Sequence, residues 1–159
     1  MRHVTIIAAA AAALALASAP VLASPHAPSI SSAVAAPGRT PDNVKLDAGR
    51  KPAQVLQFLG LRPGMHVLDL FGANGYWAEI MVPALGPKGH DTIWQPTQFY
   101  GPRGKTYMEG FAAKHPNVTV INSPFEAPDL PKNYADFVLI NNNYHDTYCL
   151  LYTSPSPRD

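Results

Sequence analysis

An apolar strand, an acidic residue and a turn of small residues follow one another between Val67 and Trp77. Small residues let the backbone approach a ligand closely, and the N–H groups that open the next helix can receive its polar groups. This order predicts a site for a nucleotide-like cofactor. The candidate contact residues are Asp69, Gly72, Ala73, Asn74 and Gly75.

Asp69 has two interpretations at this stage. At the carboxyl end of a central strand, its carboxylate could accept hydrogen bonds from loop amides or from a positively charged group of the cofactor. Alternatively, it could cap the helix that follows the turn.

A second group of reactive side chains, Asn141 to Asp146, follows the last apolar strand. His145 is flanked by Tyr144 and Asp146, and an imidazole can accept a proton near neutral pH. These three residues are the catalytic candidates, with His145 as the base and Tyr144 or Asp146 orienting it. A surface turn without chemistry is the alternative interpretation.

Alternating helical and extended patterns position these residues. Apolar spacing and turn residues predict helices near residues 52–59, 76–85 and 105–114. Short apolar runs predict strands at residues 66–70, 92–94, 118–121 and 137–140. This alternation predicts an α/β fold, a Rossmann-like parallel sheet with helices on both faces, in one domain over residues 43–148.

The ends of the chain differ from this domain. Met1 to His3 is positively charged and Val4 to Ala17 is apolar, so residues 1–23 are predicted to be a signal peptide, and the protein periplasmic or secreted. Residues 24–42 are rich in Pro, Ser and Ala and are predicted to be a disordered linker. Residues 149–159 resemble the translation of a transposase adapter used in preparing DNA sequencing libraries, and we expect them to be an artefact.

Composition excludes several classes of function. The chain has 12 Lys and Arg against 11 Asp and Glu, without a basic block, which argues against a nucleic-acid partner. No other segment is apolar enough to span a membrane, so no membrane partner is expected after signal cleavage. The one cysteine, Cys149, lies in the suspect tail, and His66, His90 and His115 lack ligand spacing, so no metal is predicted.

Three segments give the chain a family resemblance: Leu46 to Pro52, Leu61 to Leu70 and Asn143 to Asp146. With the turn after Asp69 and Gly86-Pro87-Lys88-Gly89 before the next strand, they resemble class I S-adenosylmethionine-dependent methyltransferases, more narrowly an exported "predicted methyltransferase" group. The resemblance implies S-adenosylmethionine as cofactor and methyl transfer to an unknown small-molecule acceptor.

The family's G-x-G-x-G turn falls here on Phe71, Ala73 and Gly75. A Phe in the left-handed conformation costs about 1–2 kcal/mol, so Gly72 is expected to take any positive φ. The resemblance also places Gln95 where many members carry a ribose-binding acid, and Asn122 where members often carry an adenine-contacting acid. Ordinary loop hydrogen bonding is the alternative for both amides.

The resemblance implies that further strands follow residue 148 in the family fold. The outer edge of the fourth strand and one apolar face are then expected to be uncovered, with incomplete folding and no activity for residues 24–148 alone. A noncatalytic module that binds a nucleoside or metabolite in the same crevice is the second hypothesis. A nicotinamide oxidoreductase ranks last, because Leu70 to Gly75 does not supply G-x-G-x-x-G.

Overall fold

The computed structural model describes residues 27–152, with side chains as far as Tyr148. The predicted signal peptide and residues 153–159 lie outside the described residues. Cys149 to Tyr152 continue the last helix, and the adapter origin of the tail stays a prediction. Within residues 27–152, no helix has the length and apolar composition of a membrane span.

Four parallel strands form one sheet in the order β3-β2-β1-β4. Two of the predicted strands are confirmed at both ends, and the other two extend two residues beyond the predicted range at one or both ends. The strands are β1 (His66–Leu70), β2 (His90–Pro96), β3 (Val118–Ser123) and β4 (Phe137–Ile140).

The predicted helices are present with shifted ends. α6 begins at Pro102 because proline is well suited to the first turn of a helix, and Gly101 precedes it. The helices are α1 (Ile30–Val34), α2 (Pro41–Val44), α3 (Asp47–Arg50), α4 (Pro52–Phe58), α5 (Ala78–Leu85), α6 (Pro102–Ala112) and α7 (Tyr144–Tyr152), with a short 3-10 helix at Thr97–Phe99.

Helices α1, α4, α5 and α6 pack on the sheet face that carries Val67, Ile93 and Leu139. α5 is central to this face because six of its eight residues are buried. Its Ile80 and Met81 pack toward β1 and β4, whereas its Ala78 and Val82 pack toward β2 and α6. The loops at the carboxyl ends of the strands are thereby held on a rigid layer.

The opposite face of the sheet is partly covered by a loop. The loop after β3 places Phe125 against Trp94 and Tyr134 against His66. Val138 of β4 lies on this face and is 56% exposed. β4 has a strand neighbour on one side only among the described residues.

The described part of the predicted linker is folded. Ile30, Ala33 and Val34 have helical spacing and pack in the main core, and Ala33 is 1% exposed. The Ser29 side chain caps α1 by accepting a hydrogen bond from the Ser32 N–H at 3.1 Å. The linker prediction is therefore wrong for residues 29–42, because few apolar residues suffice where they meet α4 and α5.

Arg39 anchors this segment through a buried ion pair. Its guanidinium donates to Asp47 through two nitrogens, at 2.6 and 3.0 Å, and to the carbonyl of Val34 at 2.9 Å. The Arg39 side chain is 3% exposed. Asp47 also accepts a hydrogen bond from the Tyr76 hydroxyl at 2.9 Å, and the hydrogen bond from Arg39 lowers the pKa of Asp47. We call residues 39–47 the N-terminal segment.

Replacing Arg39 by Ala should lower the free energy of unfolding by about 3 kcal/mol, because it leaves a partly buried carboxylate without its cation. Urea denaturation at pH 7 measures this change. Lys45→Ala is the matched control, since Lys45 pairs with Asp42 where both side chains are exposed. That variant should change stability by less than about 1 kcal/mol. Equal effects of the two substitutions would contradict a structural role for the buried pair.

Candidate functional site

A cleft of about 520 Å³ opens at the carboxyl ends of β1 and β2. Its sheet side comes from the turn after β1 and from the end of β2. The residues on that side are Phe71, Ala73, Asn74, Gln95 and Phe99. Ligands of open α/β sheets gather at this edge, so the cleft is the candidate site.

The other sides of the cleft come from parts of the chain that are distant in sequence. Thr40 and Asn43 belong to the N-terminal segment, and Arg103 and Tyr107 lie one turn apart on α6. Asn143 closes the cleft from the residue that precedes α7. Sequence reasoning missed Thr40, Asn43, Arg103 and Tyr107, since no local motif marks them.

A second cleft, of about 550 Å³, lies at the opposite ends of the strands. His66 and His90 open β1 and β2 there, and Tyr134 stacks on His66 at a ring distance of 5.0 Å. His90 shares a 2.9 Å hydrogen bond with the Thr119 hydroxyl. Within the described residues, no group of three or more His, Cys, Asp or Glu side chains could hold a metal.

In the turn after β1, the residue with positive φ is not the one that was expected. Phe71 itself has φ 63°, whereas Gly72 is not in the left-handed region. The Phe71 N–H donates to the Trp94 carbonyl at 2.7 Å, and its ring packs against Trp94, Phe99 and Phe125. Burying a Phe side chain contributes about 1.5–3 kcal/mol, enough to offset the strain.

Gly72 is required for packing instead. A Cβ at this position would lie 2.4 Å from Asp69 Oδ2 and 2.9 Å from Ile93 Cγ2. The turn therefore rests directly on the Asp69 side chain. Gly75 has φ 74°, and a Cβ there would lie 2.2 Å from the Tyr107 ring, so Gly75 accommodates Tyr107.

Asp69 is buried under the turn and does not line the cleft. It makes no described hydrogen bond through Oδ2, and it does not cap α5, whose first turn has no side-chain cap. Burial, with a smaller contribution from the charge of Asp91, raises the pKa of Asp69 well above its ordinary value. The protonated form of Asp69 is thereby favoured.

Gln95 and Asn122 are occupied by hydrogen bonds within the protein. Gln95 Oε1 accepts from the Ala73 N–H at 3.1 Å, and its Nε2 donates to the Phe99 carbonyl at 3.4 Å. Asn122 Nδ2 donates to the Gln95 carbonyl at 2.8 Å, and Asn122 does not line the cleft. Asn74 Oδ1 accepts from the Tyr76 N–H at 3.0 Å and supports the turn.

The three catalytic candidates lie together at the start of α7. His145 Nε2 is 3.3 Å from Asp146 Oδ1, and Asn143 Nδ2 donates to Asp146 Oδ2 at 2.9 Å. The Tyr144 hydroxyl shares a 3.2 Å hydrogen bond with that of Tyr148. The His145 side chain is 74% exposed. None of the three lines the cleft, and Asn143 connects them to it.

The solved structures to which the chain is similar include the following two. One is a SAM-dependent methyltransferase from Aquifex aeolicus, with 25% identity, a TM-score of 0.55, and coverage of 68% of this chain and 55% of that one. The chain has the class I methyltransferase fold. The other is a cyclopropane-fatty-acyl-phospholipid synthase-like protein from Lactobacillus casei, with 16% identity, a TM-score of 0.54, and coverage of 78% and 52%.

The chain thus spans about half the length of each of these two structures. No family model and no curated protein sequence matches it. The cleft lies at the carboxyl edge of the sheet, beside the turn after β1.

Asp91, a buried neighbour of Asp69, is expected to make stability depend on pH. Neither of its carboxyl oxygens has a described hydrogen-bond partner, and burial raises its pKa from 3.8 to about 7. Between these two values the native state binds more protons than the unfolded state, so the free energy of unfolding falls as pH rises. The slope is at most about 1.4 kcal/mol per pH unit for one group.

Asp91→Asn should therefore flatten the decrease in stability between pH 4 and pH 7, leaving a smaller slope from Asp69. Urea midpoints at pH 5 and pH 8 measure the change in stability with pH. At pH 8 the variant should be more stable than the original protein. Asp42→Asn, at an exposed position, is the control and should leave the slope unchanged. An unchanged slope in Asp91→Asn would show that Asp91 is ionised in the folded protein.

Proposed function

We propose that the protein containing this chain is an S-adenosylmethionine-dependent methyltransferase that acts on a small-molecule acceptor. The observation that carries the proposal is the cleft at the carboxyl ends of β1 and β2, beside the turn after Asp69, in a methyltransferase fold. Its volume is within the range of about 300–1,000 Å³ that is usual for small-molecule sites.

The residues of the cleft fit this cofactor. The exposed Phe99 ring provides aromatic surface for a base, and the buried Phe71 ring lies 6.0 Å from it. The carboxamide of Asn43 and the guanidinium of Arg103 line the cleft without a described side-chain hydrogen bond. Arg103 suits the carboxylate of the cofactor's amino-acid end. When bound, the cofactor supplies a sulfonium whose positive charge activates the methyl group.

The role of the protein in such a reaction is alignment and, for some acceptors, removal of a proton. His145 is the proposed base. Asp146 contacts its Nε2 and is itself held by Asn143, which lines the cleft. A chain of contacts thus runs from the cleft to the imidazole.

One observation favours the second candidate, a noncatalytic module that binds a nucleoside or metabolite. Gln95 uses both ends of its carboxamide within the protein and offers no carboxylate to ribose hydroxyls. A charge-assisted contact to the ribose is therefore missing at this position. Binding without transfer is the behaviour that this candidate predicts.

Isothermal titration of the protein containing this chain should give micromolar dissociation constants for S-adenosylmethionine and S-adenosylhomocysteine and no heat with NAD. Formation of S-adenosylhomocysteine in the presence of small acceptors separates the two candidates. Binding of both ligands without turnover on any acceptor would favour the noncatalytic module. Binding of NAD alone would refute the methyltransferase proposal.

His145→Gln should lower the rate of methyl transfer about 100-fold or more while the affinity for S-adenosylmethionine stays constant, because a general base acts on the acceptor. Single-turnover formation of S-adenosylhomocysteine measures the rate, and titration measures the affinity. His115→Gln is the control, since His115 precedes β3 at the amino ends of the strands. A normal rate in His145→Gln would remove His145 from the mechanism.

A further inference from the structure

Glu79 is a nearly buried carboxylate directly behind the cleft. It lies in the first turn of α5, and its side chain is 7% exposed. It accepts hydrogen bonds from the Thr40 N–H at 3.2 Å, from the Thr40 hydroxyl and from the Tyr107 hydroxyl at 2.6 Å. Both donor residues line the cleft, whereas Glu79 does not.

These hydrogen bonds determine what Thr40 and Tyr107 can offer a ligand. A hydroxyl has one proton to donate and two lone pairs that accept. Because both protons point to Glu79, the hydroxyl oxygens can only accept hydrogen bonds from any further partner. At this place the cleft therefore presents acceptors, which suit a ligand that donates.

The charges around Glu79 favour a cationic donor. Arg39 Nε lies 3.8 Å from Glu79 Oε2, but the other two guanidinium nitrogens of Arg39 are bonded to Asp47. Within this hydrogen-bonded group the two carboxylates and the one guanidinium leave one negative charge, and Lys114 lines a separate cavity together with Glu79. Among the described residues that line the cleft none is acidic and Arg103 is basic, so Glu79 acts on the cleft through Thr40 and Tyr107.

We propose that Thr40 and Tyr107, oriented by Glu79, form the subsite for a positively charged amine of the ligand. In the proposed methyltransferase, on which this inference rests, that amine is the α-ammonium of S-adenosylmethionine. Thr40 and Tyr107 contact the ligand, and Glu79 is a positioning residue. Gly75 contributes by leaving room for the Tyr107 ring.

Glu79→Gln tests the subsite by removing the negative charge behind the two hydroxyls. Both hydroxyls donate to Glu79 Oε1, and the carbonyl oxygen of a glutamine can accept from both in its place, so the loss of charge is the main change. Titration with S-adenosylmethionine, S-adenosylhomocysteine and 5′-methylthioadenosine is the measurement. The first two ligands carry the α-ammonium and should bind about tenfold more weakly. The third lacks it and should bind within about twofold of the original affinity.

Two further variants keep the result interpretable. Tyr107→Phe keeps the ring against Gly75 and removes one acceptor, so it should show the same selectivity with a smaller loss of affinity. Glu109→Gln removes the same charge at an exposed position on α6 and should leave all three affinities unchanged. Thermal melting of each variant establishes that it is folded, and Tyr107→Phe serves alone if Glu79→Gln does not fold.

The outcomes separate this inference from the proposed function. Equal weakening of all three ligands, or no weakening of any, overturns the subsite while the methyltransferase proposal stands. If the original protein binds none of the three, both proposals fail. Selective loss for the two ligands that carry the ammonium supports the subsite.

Discussion

The close contact between the turn after β1 and the Asp69 side chain is the constraint on which the cleft depends. No side chain fits at residue 72 because Asp69 and Ile93 occupy the space of a Cβ. The chain then reaches this contact with Phe71 in the left-handed conformation, and the Phe71 ring is buried among aromatic side chains. Asp69 therefore supports the turn from below.

The opposite side of the cleft depends on the N-terminal segment. Arg39 and Asp47 fix this segment to itself, and Tyr76 and Glu79 fix it to the start of α5. The residues that line the cleft come from positions as far apart as Thr40 and Asn143. A ligand site at this edge consequently requires the segment before the first strand as well as the sheet.

The sequence predicted the strands well because short apolar runs between turn residues are typical of strands, which Phe137–Ile140 illustrates. It failed at residues 29–42, where the composition is typical of a linker. The contacts that fold this segment, such as Arg39 with Asp47 and Thr40 with Glu79, are set by tertiary structure and leave no local pattern. Phe71 shows the same limit. The strain of a Phe with positive φ led to the expectation that Gly72 has the positive φ, but burial of the Phe71 ring outweighed that strain.

The amides at Gln95 and Asn122 make the loop hydrogen bonds that were the alternative interpretation of both residues. Gln95 bridges an N–H of the turn and a carbonyl near the end of the 3-10 helix. A carboxylate could accept from the Ala73 N–H, but it could not donate to the Phe99 carbonyl. The amide is thus suited to joining two loops, and Asn122 holds the backbone of Gln95 in turn. Asn43 and Arg103 line the same cleft without a described side-chain hydrogen bond, so they remain available to a ligand together with the hydroxyl oxygens of Thr40 and Tyr107.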